Sequence, residues 1–208
     1  MTTEPHPENS DESPAEPPKP YHQELQHSQV SARVPEDVGH GVFSTGAIVM
    51  HGVHEFVIDF LMSMTAPRRI AARVVLPPSV VPLLVGALQE NLKKYQDHFG
   101  SVPKFPAPVN PQNPGTPAPA PPISEVYEQL KLPDEMLSGV YANTVMIVHT
   151  PAEFCFDFIT SFYPRSAVSC RVYLAAPHVP QLLDSLNHSL DQYRRRTQQT
   201  RPPEPPAS

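Results

Sequence analysis

The 208-residue chain has no tryptophan, only two cysteines, and eight glycines that never cluster. Each shortage removes a class of function. Two thiols form no disulfide framework and match no zinc-ligand spacing, which fits a reducing compartment. Scattered glycines offer neither a Gly-x-Gly-x-x-Gly turn nor a Walker lysine loop to cradle phosphates. No Gly-x-Ser-x-Gly or Ser/His/Asp spacing stands out either. No stretch approaches the ~18 to 20 consecutive apolar residues of a membrane span. The acidic opening MTTEPHPENSDESP lacks the basic and apolar regions of a secretory signal. The expectation is a soluble, cytoplasmic protein with no membrane partner.

Positive charge is also scarce. Lys and Arg number 15 against 21 acids, for a net charge of -6. Residues 1–40 carry 8 acids and 2 bases, whereas the last 15 residues carry 4 bases and 1 acid. Neither central block has the basic excess that phosphate-backbone binding needs, since each neutralised phosphate requires its own Lys or Arg. General nucleic-acid binding is disfavoured, and Arg194, Arg195 and Arg196 read as a solvated helix end that complements the helix dipole.

Proline is abundant: there are 29, where an average usage of ~5% would give about ten. Twenty of them lie in residues 1–40, 101–122 and 202–208, and all of these but Pro35 fall outside two proline-poor blocks. Displacing the chain by 98 residues aligns those blocks, 33–95 on 131–193, without a gap and with 18 of 63 positions identical. The shared residues include Pro35/Pro133, Gly41/Gly139, His51/His149, Glu55/Glu153, Phe56/Phe154, Asp59/Asp157, Phe60/Phe158, Ser63/Ser161 and Arg73/Arg171. The ladder Leu84/Leu182, Leu88/Leu186, Leu92/Leu190, Tyr95/Tyr193 is shared as well.

Each copy reads as three strands and a helix. Residues 42–50 and 140–148 are apolar without polar alternation, as in a strand covered on both faces. In 56–60 and 154–158, aromatic and β-branched residues at spacing two favour a strand. A helix competes there, because His51, Glu55 and Asp59 also fall at i, i+4, i+8 and Thr150 to Glu153 resembles a capping box. Residues 70–76 and 168–174 form the third strand. A helix follows over 79–99 and its twin, with Pro82 and Pro180 in the first turn and Gly100 as a stop. Residues 124–130 suggest a further short helix.

One helix can cover one face of such a meander, but Val57, Leu61 and Val75, with Cys155, Ile159 and Tyr173, leave apolar groups on the other. That face is expected to be covered by packing the copies on each other. The predicted fold is therefore α+β: tandem duplicated β-β-β-α units packed as an intramolecular pseudo-dimer, with disordered Pro-rich tails and linker. The divisions are a tail at 1–32, the first repeat at 33–100, a linker at 101–122, the second repeat with its leading helix at 123–196, and a tail at 197–208.

The run Tyr141-Ala-Asn143, then His149-Thr-Pro-Ala-Glu153-Phe-Cys-Phe-Asp157-Phe, Arg171-Val, Leu186 and Tyr193 resembles a prokaryotic family known as domain of unknown function 3467. Copy one is similar in His51, Glu55, Asp59, Arg73, Leu84, Leu88, Tyr95 and Phe99-Gly100, but carries Ser44-Thr45 where copy two has Ala142-Asn143. Any role of that Asn is thus expected in copy two alone. The resemblance implies a small α+β domain and brings no catalytic residues.

The recurring polar residues have two readings. Asp59 with Arg73, and Asp157 with Arg171, fit cross-strand ion pairs desolvated between the copies. His51, Glu55, His149 and Glu153 would line a site at the junction of the copies, if there is one. On a strand Glu55 and Asp59 lie ~13 Å apart, too far to share one ion, so neither a metal nor a cofactor is expected. Cys155 and Cys170 fall on opposite strand faces and read as buried apolar residues. The leading function is a non-enzymatic protein-interaction or scaffold module whose Pro-rich segments dock a partner's aromatic groove. The alternatives are a ligand-binding protein or small enzyme with a site between the repeats, and a weak single-strand binder using Tyr141, Tyr173 and the Arg-rich tail. A monomer with internal pseudo-twofold symmetry is expected.

Overall fold

The computed structural model describes residues 32–104, 122–162 and 164–199. Most of the tails and linker assigned as disordered lie outside these residues. In chain order the elements are β1 (Ala32–Arg33), α1 (Glu36–Gly39), β2 (Val42–Ser44), β3 (Gly46–His51), β4 (Phe56–Met62), β5 (Arg69–Leu76) and α2 (Val81–Phe99), then α3 (Ile123–Glu128), β6 (Val140–Tyr141), β7 (Thr144–His149), β8 (Glu153–Phe162), β9 (Arg165–Ala175) and α4 (Val179–Gln199). The fold is α+β. No described helix is long and apolar enough to cross a membrane.

The competition between strand and helix at 51–62 and 149–160 resolves to strand in both copies. β3, β4 and β5 form an antiparallel meander, and β7, β8 and β9 form another. Phe56, Ile58 and Phe60 point to one side of β4 and are fully buried, as are Phe154, Phe156 and Phe158 on β8. A helix would scatter three aromatics at spacing two around its axis, whereas a strand gathers them on one face. The register slips at the same place in each copy, between Phe60 and Leu61 and between Phe158 and Ile159.

The single strand expected at 42–50 is broken, and so is its counterpart at 140–148. The first piece of each enters the other copy's sheet. β2 runs parallel to β9, with Val42 opposite Val172, and β6 runs parallel to β5, with Val140 opposite Val74. The chain then crosses over, and β3 and β7 join their own meanders. The result is a first sheet in the order β3-β4-β5-β6 and a second in the order β7-β8-β9 with β1 and β2 both on β9. The absence of polar alternation in these stretches has its physical reason here: each serves two sheets within ten residues.

The helices are exchanged as well. Instead of covering its own meander, α4 packs on β3 of copy one and α2 packs on β7 of copy two, with α2 against α4 between them. Ser189 on α4 donates to the Val49 carbonyl of β3 (3.3 Å), and Tyr95 on α2 donates to the Pro151 carbonyl (2.7 Å). β3 and β7 are the outer strands of their sheets, and a helix laid along each blocks an edge that would otherwise invite pairing.

One core results. The buried apolar residues of both copies form a single cluster, and Phe60 meets Phe156 and Phe158 with ring centroids 6.4 and 5.6 Å apart. The copies therefore meet through the aromatic faces. The expectation that they meet through the faces bearing Val57, Val75, Cys155 and Tyr173 is corrected: those residues share the outer side with Asp59 and Asp157, and Met146 and Val148 on that side of the second sheet are exposed. Aromatic rings need a thick, dry layer, and only two apolar faces placed opposite each other supply it.

Because the core is shared, damage in one copy should reach the other. Phe60→Ala is expected to cost about 3 to 5 kcal/mol. Urea denaturation should show one transition, and hydrogen exchange should show loss of protection along β8 as well as β4.

Candidate functional site

The polar residues repeated in both copies assemble on the outer side, next to the crossover. Asp59 sits on β4 opposite Arg73 on β5, and Asp157 on β8 opposite Arg171 on β9. Each pair is two-pronged: Arg73 donates Nε to Asp59 Oδ1 (2.7 Å) and Nη2 to Oδ2 (2.7 Å), and Arg171 makes the same bonds to Asp157 at 2.6 and 2.7 Å. The fork matches the carboxylate edge to edge, the strongest arrangement of this kind of pair. Asp59 is fully buried and Asp157 nearly so. Each guanidinium holds its proton more firmly than usual, first through the hydrogen bond to its aspartate.

The third arm of each arginine crosses to the other copy. Arg73 Nη1 donates to the carbonyl of Leu137 (3.1 Å), and Arg171 Nη1 to the carbonyl of Gly39 (3.4 Å), equivalent positions 98 residues apart. The turns that carry these carbonyls reach the arginines because a glycine lies over each. Gly139 has φ +68°, and a Cβ there would fall 2.7 Å from Arg73 Cγ; Gly41 has φ +63°, and a Cβ there would fall 2.6 Å from Tyr173 Cε2 and 2.8 Å from Arg171 Cγ. The shared glycines thus serve both the left-handed turn and the close approach. These ion pairs are not sandwiched between packed sheet faces, as the sequence suggested. They lie on the outside and reach the other copy end-on.

A cavity of about 200 Å³ opens between the two glycine turns. Its fourteen lining residues fall into seven pairs 98 positions apart, among them Val42 with Val140, Ala72 with Cys170, Arg73 with Arg171, and the exposed acids Asp37 with Glu135. At ~30 Å³ per water it holds a few solvent molecules and is smaller than the ~300 to 1,000 Å³ of drug-sized pockets. Its one thiol, Cys170, is pushed up to about 11 by burial and then by the Asp157 charge, so it stays protonated and unreactive at neutral pH. Both cysteines are free. Among the described residues no group of three His, Cys, Asp or Glu side chains could hold a metal ion.

His51, Glu55, His149 and Glu153 line no part of this cavity. His51 ends β3 with Nδ1 3.2 Å from the Gly52 carbonyl, and its ring packs on Phe56 and on Tyr193 of α4. His149 ends β7 with its ring on Phe154, on Tyr95 and Phe99 of α2, and Nδ1 3.3 Å from Asn91 Oδ1. Each histidine lies where the copies meet, but on separate sheets. Glu55 accepts from the His54 amide within its own turn. The Thr150 hydroxyl accepts from the amides of Ala152 and Glu153, so the apparent capping box closes a hairpin turn. Among the described residues, neither histidine pairs with either glutamate.

Two features escape comparison of the copies. Tyr127 on α3 donates its hydroxyl to Asp59 Oδ2, adding a third hydrogen bond to that carboxylate, and burial followed by Asp59 raises its phenol above the ordinary value. Its equivalent position in copy one is Gln29, so no identity marks it. The role of Asn143 is also not confined to copy two. Asn143 bonds the Ser161 amide (2.8 Å) and carbonyl (3.1 Å), and in copy one the Thr45 hydroxyl accepts from the Ser63 amide (2.9 Å) and donates to the Leu61 carbonyl (3.1 Å). A hydroxyl and a carboxamide hold the equivalent amides of Ser63 and Ser161, because both carry donor and acceptor, while the carbonyls they reach lie two positions apart.

Gly139→Ala is expected to destabilise by about 2 to 4 kcal/mol, from the left-handed φ and the clash with Arg73 together; the urea midpoint measures it. A second expectation concerns pH. His149 titrates below its ordinary value, chiefly through burial and then through the charges of His98 and Lys94. The unfolded chain therefore binds the proton first, and stability should fall as pH drops from about 7 through the ordinary histidine value of ~6.5. Melting temperatures at pH 7.5 and 5.5 should differ less in His149→Gln than in the unaltered chain.

Comparison with known proteins gives one family. The model described as "Protein of unknown function (DUF3467)" matches twice, over residues 7–104 and 110–199. No curated protein and no solved structure matches. With two consecutive matches spanning nearly its whole length, and the paired Asp, Arg and Gly positions falling inside both, this chain belongs to the DUF3467 family as a tandem duplication of its unit.

Proposed function

We propose that the chain is a non-enzymatic interaction or scaffold module, built as an intramolecular pseudo-dimer, acting in the cytoplasm and engaging protein partners through its Pro-rich segments. One observation carries this reading: the repeated charged residues that are buried are engaged inside the molecule. Asp59 and Asp157 bind Arg73 and Arg171, and the free arm of each arginine binds the other copy's turn. A reaction site needs groups left available to a substrate; here they hold the copies together. Exchange of strands and helices supports the pseudo-dimer, since equivalent elements trade places as subunits of a twofold dimer do. Free thiols support a reducing compartment.

A second reading, a small ligand bound on the pseudo-twofold, is favoured by the seven equivalent residue pairs lining the axial cavity. One comparison separates the two. Proline-to-serine replacement through residues 5–20 and 106–121 should leave the melting temperature unchanged and abolish crosslinking to proline-reading domains with aromatic grooves. Crosslinking that persists overturns the first reading. A panel of metabolite-sized compounds that raises the melting temperature, with the effect abolished by Ala72→Leu in the cavity wall, establishes the second.

A further inference from the structure

Two acids at the axial cavity take no part in holding the copies together. Asp37 on α1 and Glu135 in the turn Asp134–Met136 both line it, related by the same displacement of 98 that relates the glycine turns. Both are exposed, and no ion pair among the described residues engages either. Each has a second acid beside it, Glu36 and Asp134, and neither turn ends on a base. The order of Asp and Glu is reversed between the copies, so a comparison of identities passes over a negative charge that both copies keep. Complementing a helix dipole is a slight role for these residues, because α1 has four residues and the other turn three.

The rest of the lining sets the chemistry that would match them. Val38, Val42, Met136 and Val140 make the walls apolar. Arg73 and Arg171 bring positive charge, but an aspartate already neutralises each one. The fork and the bond to the opposite turn together occupy three of the five N–H groups of each guanidinium. The cavity therefore presents an apolar passage with one uncompensated carboxylate from each copy. Those carboxylates repel an anion, an uncharged molecule leaves both unmatched, and a single ammonium matches one. A molecule with an ammonium at each end and methylenes between them matches both acids and the walls, and it shares the twofold relation of the site. Volume limits its length, since 200 Å³ is roughly the space of six waters at ~30 Å³ each.

We propose that the axial cavity binds a short aliphatic diamine, with one ammonium on Asp37, the other on Glu135, and the methylene chain against Val42 and Val140. This inference rests on the second reading above, a ligand on the pseudo-twofold, and names its chemical class.

Melting of the full chain in ~0.15 M salt, where loose surface attraction is screened, tests it. The ligands are diaminopropane, diaminobutane and diaminopentane, with butylamine, butanediol and glutarate as the singly charged, uncharged and anionic comparisons. The diamines should raise the melting temperature saturably. Their affinity should rise about fourfold for each added methylene until the cavity is full, and butylamine should bind about fivefold more weakly than diaminobutane. Asp37→Asn and Glu135→Gln should each weaken diaminopentane about fivefold while leaving the ligand-free melting little changed, as expected of exposed side chains. Diamine stabilisation of equal size in the chain carrying both substitutions overturns the proposal, as does equal affinity for butylamine, because binding is then unrelated to the paired acids. Absence of any diamine effect overturns it too. If butanediol or glutarate stabilises the chain in that case and Ala72→Leu removes the effect, the cavity still takes a ligand and only the diamine assignment falls; if no compound stabilises it, both fall.

Discussion

The structure depends on an arginine held at three points. In each copy the guanidinium is fixed by an aspartate on the neighbouring strand and reaches with its remaining arm to a carbonyl in the other copy's glycine turn. A buried charge of this kind is tolerated only while its partners stay in place, and losing one leaves the others uncompensated. The bond therefore does more than add attraction. It fixes where the turn of one copy must lie on the sheet of the other, and with it the point at which β2 and β6 enter the opposite sheet.

That entry point governs the rest of the packing. Once the start of each first strand is committed to the other copy, its continuation returns to its own meander as the outer strand, and the helix from the other copy lies along it. The two aromatic faces are left facing each other, and one core forms across both copies. Neither copy holds a complete set of neighbours by itself. Copy one supplies the helix that shields β7, and copy two supplies the helix that shields β3.

Much of this was legible in the residues. Parity along the strands put Asp59 with Arg73 and Asp157 with Arg171, because a period of two places them on one face and the length of the intervening hairpin sets them opposite. The apolar stripes Leu84, Leu88, Leu92 and Leu182, Leu186, Leu190 made the helices plain. The histidines and glutamates were harder, since a repeated residue at the end of a strand looks the same whether it binds a ligand or packs on a ring. Tyr127 was invisible to the comparison of copies because Gln29 holds its place, and Thr45 concealed its likeness to Asn143 because the two share bonding capacity and not identity.

The sequence by itself determined that one unit occurs twice, which residues turn inward within each unit, and which acid faces which base. These follow from local periodicity, and periodicity is written along the chain. Only the tertiary structure decided which copy covers which: a helix with one apolar stripe fits its own sheet or its twin's equally well by pattern. The choice falls to the exchanged β2 and β6 and to the close approach of Gly41 and Gly139 to the opposite arginines, contacts between residues about 65 to 130 positions apart whose geometry exists only after both copies have folded on each other.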